Sequence, residues 1–166
     1  MTAVDRSEAE TGLGGRIFWA SLLGGLAGGA GDITYALVNW GLQGIPPLKI
    51  FQSVARGLLG RASFDGGIET GVLGAVLHFS MATVMALVFV LVSLLLPVLR
   101  RAPIIWGMAY GGGIYLVMNY VVVPLSLAAR TTPPSLWDYS SGLIAHIFLV
   151  GLPMALIARA YLPPRD

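Results

Sequence analysis

Residues 73–92 read LGAVLHFSMATVMALVFVLV, an apolar stretch without a single Asp, Glu, Lys or Arg. A helix of about 20 such residues is long enough to cross the hydrocarbon core of a bilayer. The apolar character extends on both sides, and we predict a membrane-spanning helix over residues 67–99. Residues 15–41, 103–128 and 137–162 have the same character, so the sequence predicts four spans.

The composition of the chain is that of a membrane protein. Of its 166 residues, 56% are hydrophobic and 11% are charged, and the mean hydropathy is +0.79, whereas soluble domains carry about 25% charged residues. The net charge is +2, and the ten Lys and Arg form no long block, which argues against nucleic acid binding. The absence of cysteine from the sequence excludes disulfides, a thiolate nucleophile and Cys-ligated metal centres.

The four spans predict an all-α fold, an integral membrane four-helix bundle that forms a single domain over residues 1–166. A disordered N-terminal tail is predicted over residues 1–14, and the lipid bilayer surrounds the rest. The first span starts at Arg16 followed by IFWASLLGGL, which is also typical of a signal peptide. We favour a span because the apolar pattern continues past Asp32.

The distribution of Lys and Arg predicts the orientation of the bundle. Cytoplasmic loops carry the excess of Lys and Arg, so we expect both termini in the cytoplasm. Six of the ten lie on the side of the termini and four on the opposite side: Arg6, Arg16, Arg100, Arg101, Arg159 and Arg165 against Lys49, Arg56, Arg61 and Arg130.

The loop between the first two spans, PPLKIFQSVARGLLGR, has a helical pattern of its own. Its two prolines suit a helix N-terminus. Its polar residues recur at helical spacing opposite an apolar face: Lys49, Gln52, Ser53 and Arg56. We predict a short amphipathic helix over residues 47–60 that lies on the membrane surface, with Lys49, Arg56 and Arg61 facing the headgroups. A lid that packs over the end of the bundle is the alternative interpretation.

Glycines spaced four residues apart put small residues on one helix face, where helices in lipid approach closely. We predict helix packing through three such pairs: Gly24 and Gly28, Gly67 and Gly71, and Gly107 and Gly111. Packing within one chain is the simpler interpretation, and a homodimer through one of these faces is the other.

Asp32 is a single carboxylate inside the first span, in the stretch GGAGDITYALVNW. At about 1.5 Å per residue it lies ~14 Å from the end of its span, and His78, Asn119 and His146 lie at a similar depth. A carboxylate that faces lipid is costly, so we expect Asp32 to face these groups, with Tyr35 one turn away. This polar layer predicts either a protonatable or ion-binding site or a structural network that holds the helices in register.

Two histidines at one depth also suggest a second hypothesis, bis-imidazole ligation of haem by His78 and His146. Neither helix carries a second histidine, and we predict no cofactor. The same two residues and one carboxylate can in principle bind a metal, yet we predict no metal site. No catalytic motif is recognisable, so we predict that the protein is not an enzyme. Ser140 and Ser141 beside Asp138 are interpreted as the N-terminal cap of the fourth span.

The chain has a glycine-rich third span that ends in Pro-Leu, and a histidine early in spans two and four. The segments that carry this pattern are LGAVLHFSMATVMALVFVLV, GMAYGGGIYLVMNYVVVPLSLAA and SGLIAHIFLVGLPMALIARAYL. This pattern resembles the YagU-like small bacterial inner-membrane proteins, mainly over residues 71–162. The resemblance implies a bacterial inner-membrane location, four spans and no established biochemical activity. His78 and His146 are the only positions that it carries over.

Small size, short loops and packing glycines favour a non-enzymatic accessory or structural component of a larger membrane complex. The polar layer favours a second class, a small transporter or proton-linked sensor. Four spans are few for a monomeric carrier, so a transporter would require a dimer.

Overall fold

The structure, a computed structural model, describes residues 12–129, 132 and 134–163, so residues 1–11 of the predicted tail lie outside it. Within these ranges every regular element is helical, which confirms the all-α prediction for them. The helices are α1 (Leu13–Gly41), α2 (Pro47–Leu59), α3 (Gly67–Leu95), α4 (Val98–Arg101), α5 (Pro103–Leu125) and α6 (Leu136–Tyr161).

Three of these helices, α3, α5 and α6, are long and apolar enough to cross a membrane, which indicates a membrane protein. They correspond to the second, third and fourth predicted spans. α3 ends at Leu95 rather than at residue 99, because Pro97 and the short helix α4 turn the chain. α1 has the same length as α3, 29 residues, but its glycines and Asp32 make it less apolar.

The long helices pack side by side, with α1 against both α3 and α6, and with α6 also against α5. This arrangement of helices has two ends. The loop end comprises the end of α1, the whole of α2, and the starts of α3 and α6. The terminal end comprises the start of α1, the short helix α4 and the end of α6.

Glycines on α1 and α5 make the closest contacts with α6. Gly24 and Gly28 are buried, and a Cβ at Gly28 would lie 2.8 Å from Cε of Met154. On α5, a Cβ at Gly107 would lie 3.0 Å from the backbone of α6, and one at Gly111 would collide with it outright. Dispersion contact between backbones drives packing in lipid, so these four glycines allow the helices to associate within one chain.

The predicted pair Gly67 and Gly71 does not bring two long helices together in this way. Gly71 is buried, and a Cβ there would lie 2.5 Å from Cδ1 of Leu48 on α2. Gly67 is exposed, and a Cβ there would meet nothing within 4 Å. Its φ of +57° is one that L side chains rarely adopt, so this glycine serves the turn into α3.

α2 packs against the start of α3, and it also has an exposed, charged face. Its buried residues are Ile50, Gln52 and Ala55. Gln52, which the sequence pattern grouped with the polar face, is only 2% exposed. Its Nε2 donates to the Gly67 carbonyl at 2.8 Å and to Oγ1 of Thr70 at 3.2 Å.

The three cations assigned to the membrane surface have different surroundings. Lys49 and Arg61 are exposed. Arg56 is half-buried and donates from Nη2 to the carbonyl of Ala129 at 3.2 Å, and the amide of Leu127 donates to the Gly57 carbonyl at 3.1 Å. The segment that follows α5 therefore packs on α2.

Replacement of Gln52 should detach α2 from α3. We expect Gln52→Leu to lower the free energy of unfolding by about 1–2 kcal/mol, because it leaves the Gly67 carbonyl without this donor. Ser53→Ala is the matched control, since its hydroxyl bonds only within α2, to the carbonyl of Ile50. Denaturation of the detergent-solubilised protein by sodium dodecyl sulfate, followed by circular dichroism, measures both; equal losses would contradict the role of Gln52.

Each of α5 and α6 contains a π-helical segment, Met118–Val122 and His146–Gly151 respectively. Each segment ends two residues before a proline, Pro124 or Pro153. A proline ring clashes with the carbonyl four residues earlier, and the wider π turn moves that carbonyl aside. The α6 segment begins at one of the two histidines, so this irregularity lies at the polar layer.

Candidate functional site

Asp32, His78 and His146 meet although they come from three different helices, α1, α3 and α6. Oδ1 of Asp32 lies 3.6 Å from Nδ1 of His146, and Oδ2 lies 4.0 Å from Nδ1 of His78. The side chains are 26%, 12% and 15% exposed in the order Asp32, His78, His146. We call these three residues the acid–histidine site.

The acid–histidine site borders a cavity of about 50 Å³. A water molecule occupies about 30 Å³ in the liquid, so the cavity has room for one or two waters or a small ion. Apart from the acid–histidine site, its lining is apolar and rich in methionine: Gly28, Gly29, Met81, Ala82, Met85, Ile114, Met118 and Val150.

The hydrogen bond of His78 defines which of its ring nitrogens carries a proton. Nε2 lies 2.9 Å from the carbonyl oxygen of Gly29. Because a carbonyl only accepts, we assign the proton to Nε2, and in the neutral ring Nδ1 is then an acceptor with a lone pair. That lone pair faces Oδ2 of Asp32. An ionised carboxylate also only accepts, so with Asp32 ionised and His78 neutral two acceptors would face each other across 4.0 Å.

His146 is held differently. Its Nδ1 lies 2.9 Å from the Gly142 carbonyl one turn earlier in α6, so this nitrogen donates within its own helix. The ring of Tyr115 on α5 packs edge-on against the imidazole, with centroids 5.1 Å apart. The same Nδ1 lies 3.6 Å from Oδ1 of Asp32, so this N–H has a carbonyl at hydrogen-bonding distance and a carboxylate slightly farther away.

The Asp32 carboxylate lacks a close donor. Throughout the described ranges, no N–H or O–H lies within 3.5 Å of either oxygen in hydrogen-bonding geometry, and the two imidazoles are its nearest ionisable neighbours. The carboxylate therefore lies between two imidazoles without a hydrogen bond to either.

Tyr35 and Asn119, the other two predicted site residues, have different partners. Tyr35 shares a hydrogen bond of 2.7 Å with Oγ of Ser141 on α6, one turn from Asp32 towards the loop end. Asn119 is absent from the cavity lining, and its amide donates to the Tyr115 carbonyl at 2.9 Å. It is the second residue of the α5 π segment, where the face that a residue presents departs from α-helical spacing.

Sequence reasoning missed a second polar group near the loop end, between α1 and α6. Nδ2 of Asn39 donates to Oδ1 of Asp138 at 3.2 Å, and Nε1 of Trp137 donates to Oδ1 of Asn39 at 3.0 Å. Nε2 of Gln43 also donates to Asp138, at 3.4 Å. The signal was present in the sequence, because residues 32, 35, 39 and 43 recur at one helical face.

The cap of α6 also differs from the sequence interpretation. Oγ of Ser135 accepts from the backbone amide of Asp138 at 3.1 Å, so Ser135 is the N-cap. Ser140 and Ser141 instead donate to carbonyls one turn earlier, those of Leu136 and Trp137. The side chain of Ser141 is thereby oriented towards α1.

The size of the cavity and the contacts of the two rings bear on the haem alternative at His78 and His146. Ligand pockets of drug-sized molecules measure about 300–1,000 Å³, and the cavity here is about 50 Å³. His78 and His146 each bond a backbone carbonyl through one ring nitrogen. For metals, the described ranges contain no group of three or more His, Cys, Asp or Glu side chains arranged to hold an ion.

A larger cavity of about 520 Å³ lies at the terminal end, away from the acid–histidine site. Its lining combines two cations with apolar residues: Leu13, Arg16, Leu94, Pro97, Arg100, Leu162 and Pro163. We place the functional site at the smaller cavity, because ionisable side chains from three helices converge there.

Comparison with family models, with curated proteins and with solved structures yields no match.

Proposed function

We propose that the chain is a multi-pass protein of a bacterial inner membrane that binds and releases a proton at the acid–histidine site, as a proton-linked sensor or small transporter. In this proposal α1 also crosses the membrane, completing a four-helix bundle with α3, α5 and α6, and α2 lies at the membrane surface. The 29 residues of α1 exceed the ~20 that a span needs, and the glycines of α1 face α3 and α6. The excess of Arg at the terminal end supports cytoplasmic termini.

The position of the Asp32 carboxylate between two imidazoles is the observation that carries this proposal. Nδ1 of His78 and Oδ2 of Asp32 lie 4.0 Å apart while Nε2 of His78 is held by the Gly29 carbonyl. One added proton converts this unfavourable pair into a favourable one, either as imidazolium beside carboxylate or as carboxylic acid beside imidazole. The distances of 3.6 and 4.0 Å are longer than hydrogen bonds, so the groups have room to close on that proton.

Proton binding couples three helices, because each contributes one member of the site. Opposite charges about 4 Å apart attract far more strongly in a protein interior than in water. Protonation should therefore draw α1, α3 and α6 together around Asp32, and deprotonation should loosen them. Such a charge-dependent change in helix packing is the physical basis of a pH sensor.

Acidification should produce an infrared carboxyl band that belongs to Asp32, or an imidazolium signal that depends on it. We expect the wild-type protein in lipid nanodiscs to change one of these signals between about pH 8 and pH 5, the range in which histidine commonly titrates. Asp32→Asn should abolish the change, since it removes the only acid of the site. Because the chain has two histidines, ¹⁵N spectra of histidine-labelled protein resolve each ring.

Asp65→Asn is the control, because Asp65 is exposed at the loop end and the charge change is the same. It should leave the Asp32-dependent signal intact. If both imidazoles and the carboxyl region stay unchanged over this pH range, or if Asp32→Asn lowers only thermal stability, the site is a structural network and proton binding is excluded.

A non-enzymatic accessory or structural subunit of a membrane complex is the second candidate. The observation that favours it is the size of the cavity, about 50 Å³, which leaves no room for a solute larger than a small ion. Gly24, Gly28, Gly107 and Gly111 already contact neighbouring helices of the same chain. A homodimer, which a transporter would require, therefore has to use another surface; chemical crosslinking in native membranes distinguishes monomer, homodimer and larger complex.

A further inference from the structure

Polar side chains extend from the acid–histidine site to the loop end in one row. The row comprises Tyr35 and Asn39 on α1 and Gln43 in the turn that follows α1, and these residues recur at helical spacing from Asp32. On α6 it comprises Ser141 and Asp138, which hydrogen bond to these three residues. We call these five residues the polar row. From Asp32 to the end of α1 at Gly41 the helix rises about 14 Å, nearly half the thickness of a hydrocarbon core.

Each level of the polar row connects α1 to α6. Oη of Tyr35 and Oγ of Ser141 lie 2.7 Å apart. One turn higher, Oδ1 of Asp138 accepts from Asn39 at 3.2 Å and from Gln43 at 3.4 Å. Successive levels are separated by about one helical turn, 5.4 Å, a gap that one bridging water spans. Waters in these gaps would make the row a continuous hydrogen-bonded route.

The opposite direction from Asp32 is apolar. Towards the terminal end, the described core between α1, α3 and α6 contains Ala20, Phe89, Val90, Ala155 and Ala158, with Met154 and Ala86 closer to the site. The buried hydroxyls there are bonded within their own helices, Ser21 to the Ile17 carbonyl and Ser93 to the Val90 carbonyl. On the cavity side, Tyr110 donates to the Met85 carbonyl at 2.6 Å.

We propose that protons reach and leave the acid–histidine site from the loop end through the polar row, and that the terminal side is closed in this conformation. This inference rests on the proposed proton-binding function. Asp138 takes up a proton at the entrance. Water and the hydroxyls of Ser141 and Tyr35 pass it on, each accepting one proton and donating another, until it rests on Asp32 or His78. Asn39 holds Asp138 and Trp137 in place and is a positioning residue.

The ionisable groups around Asp32 are accounted for on each neighbouring helix. α3 contributes His78 and α6 contributes His146. α5 contributes Ile114 and Met118 to the cavity, and its nearest ionisable group, Tyr115, packs on the ring of His146. α1 itself adds Tyr35. We therefore take the polar row as the path that joins these groups to an aqueous face.

The test is the rate of proton uptake after a rapid pH drop, followed by the Asp32-dependent infrared signal in nanodiscs. Tyr35→Phe removes a relay hydroxyl without changing shape, and Asp138→Asn removes the entrance carboxylate. We expect each to slow proton uptake at least tenfold, which is an added barrier of about 1.4 kcal/mol, and to leave the final amplitude unchanged.

Matched controls exist for both substitutions. Tyr120→Phe also deletes a hydroxyl pair between helices, that of Tyr120 and Tyr139 at 3.0 Å, but outside the row. Asp65→Asn makes the same charge change as Asp138→Asn at the same end of the molecule. Both controls should keep the wild-type rate within about twofold, since neither lies on the route.

A blocking experiment tests the route without deleting any relay group. The chain has no native cysteine, so Gln43→Cys can be modified with a bulky, charged thiol reagent at the entrance. Modification should slow proton uptake at least tenfold, whereas modification of Glu69→Cys, an exposed position at the start of α3, should not.

The outcomes separate the two proposals. A wild-type protein that shows no Asp32-dependent signal refutes the proton-binding function and the row together. A signal that is present but rises equally fast in Tyr35→Phe, Asp138→Asn and the modified Gln43→Cys protein refutes the polar row alone. Slower uptake in all three, with the controls unaffected, supports the loop-end route.

Discussion

Gly111→Ala should lower the free energy of unfolding by about 3 kcal/mol, the upper part of the range for overpacking. The added methyl group would collide with the carbonyl group of His146, where α5 and α6 cross. Backbone cannot rotate away as the end of a long side chain can, so the helices must separate. Because the obstructed carbonyl belongs to His146, the same substitution should displace an imidazole of the acid–histidine site and reduce its proton-dependent signal.

Gly113→Ala is the control for this prediction, on the same helix and only two residues away. A Cβ at Gly113 meets nothing within 4 Å, and alanine has a better helix propensity than glycine by about 1 kcal/mol. We expect this variant to be as stable as the wild type or more so. Detergent-denaturation curves followed by circular dichroism compare the two, and similar losses in both would contradict the close crossing of α5 and α6.

Helix positions follow from the sequence because apolar length alone specifies a membrane-crossing helix. The predicted segments 67–99, 103–128 and 137–162 differ from α3, α5 and α6 by at most four residues at either end. Helix partners do not follow in the same way. Gly67 and Gly71 have the same spacing as Gly107 and Gly111, but spacing specifies a face and not the element that covers it, and α2 covers Gly71.

Depth arithmetic applies to Asp32, His78 and His146 because the rise per residue of a helix is constant. These three residues lie together in the structure. The depth of a residue does not indicate, however, which way its side chain points from the helix. Asn119 has a similar predicted depth, but its amide bonds within α5. The π turn that reorients this residue depends on Pro124, whose local effect on the helix face is not readable from hydrophobic spacing.

The side of the membrane on which Arg100 lies can be predicted from the sequence, but its environment in the fold cannot. The pair Arg100 and Arg101 predicts the side of the membrane, because both contribute to the count of cations near the termini. The pattern does not indicate that Arg100 is only 8% exposed while its neighbour is exposed. Its Nε donates to the Ser93 carbonyl at 2.9 Å, and its Nη1 donates to the Leu162 carbonyl at 2.6 Å.

Arg100→Met should accordingly lower the free energy of unfolding by about 3 kcal/mol, since two buried carbonyls lose a charged donor at once. Those carbonyls lie near the C-terminal ends of α3 and α6, where a cation also interacts favourably with the helix dipole. Arg16→Met removes the same charge from an exposed position at the terminal end and is the control. We expect it to change stability by less than about 0.5 kcal/mol, as for most exposed positions.

Arg100→Lys separates the charge of this side chain from its geometry. A lysine keeps the positive charge but carries one compact ammonium in place of the planar fork that reaches two carbonyls. We expect it to recover less than half of the loss in Arg100→Met, when the three variants are compared by detergent denaturation. Full recovery would show that charge alone stabilises the terminal end, whereas equal behaviour of Arg100→Met and Arg16→Met would show that the two carbonyl contacts contribute nothing. The expected order follows from geometry, because one guanidinium holds the ends of α3 and α6 together.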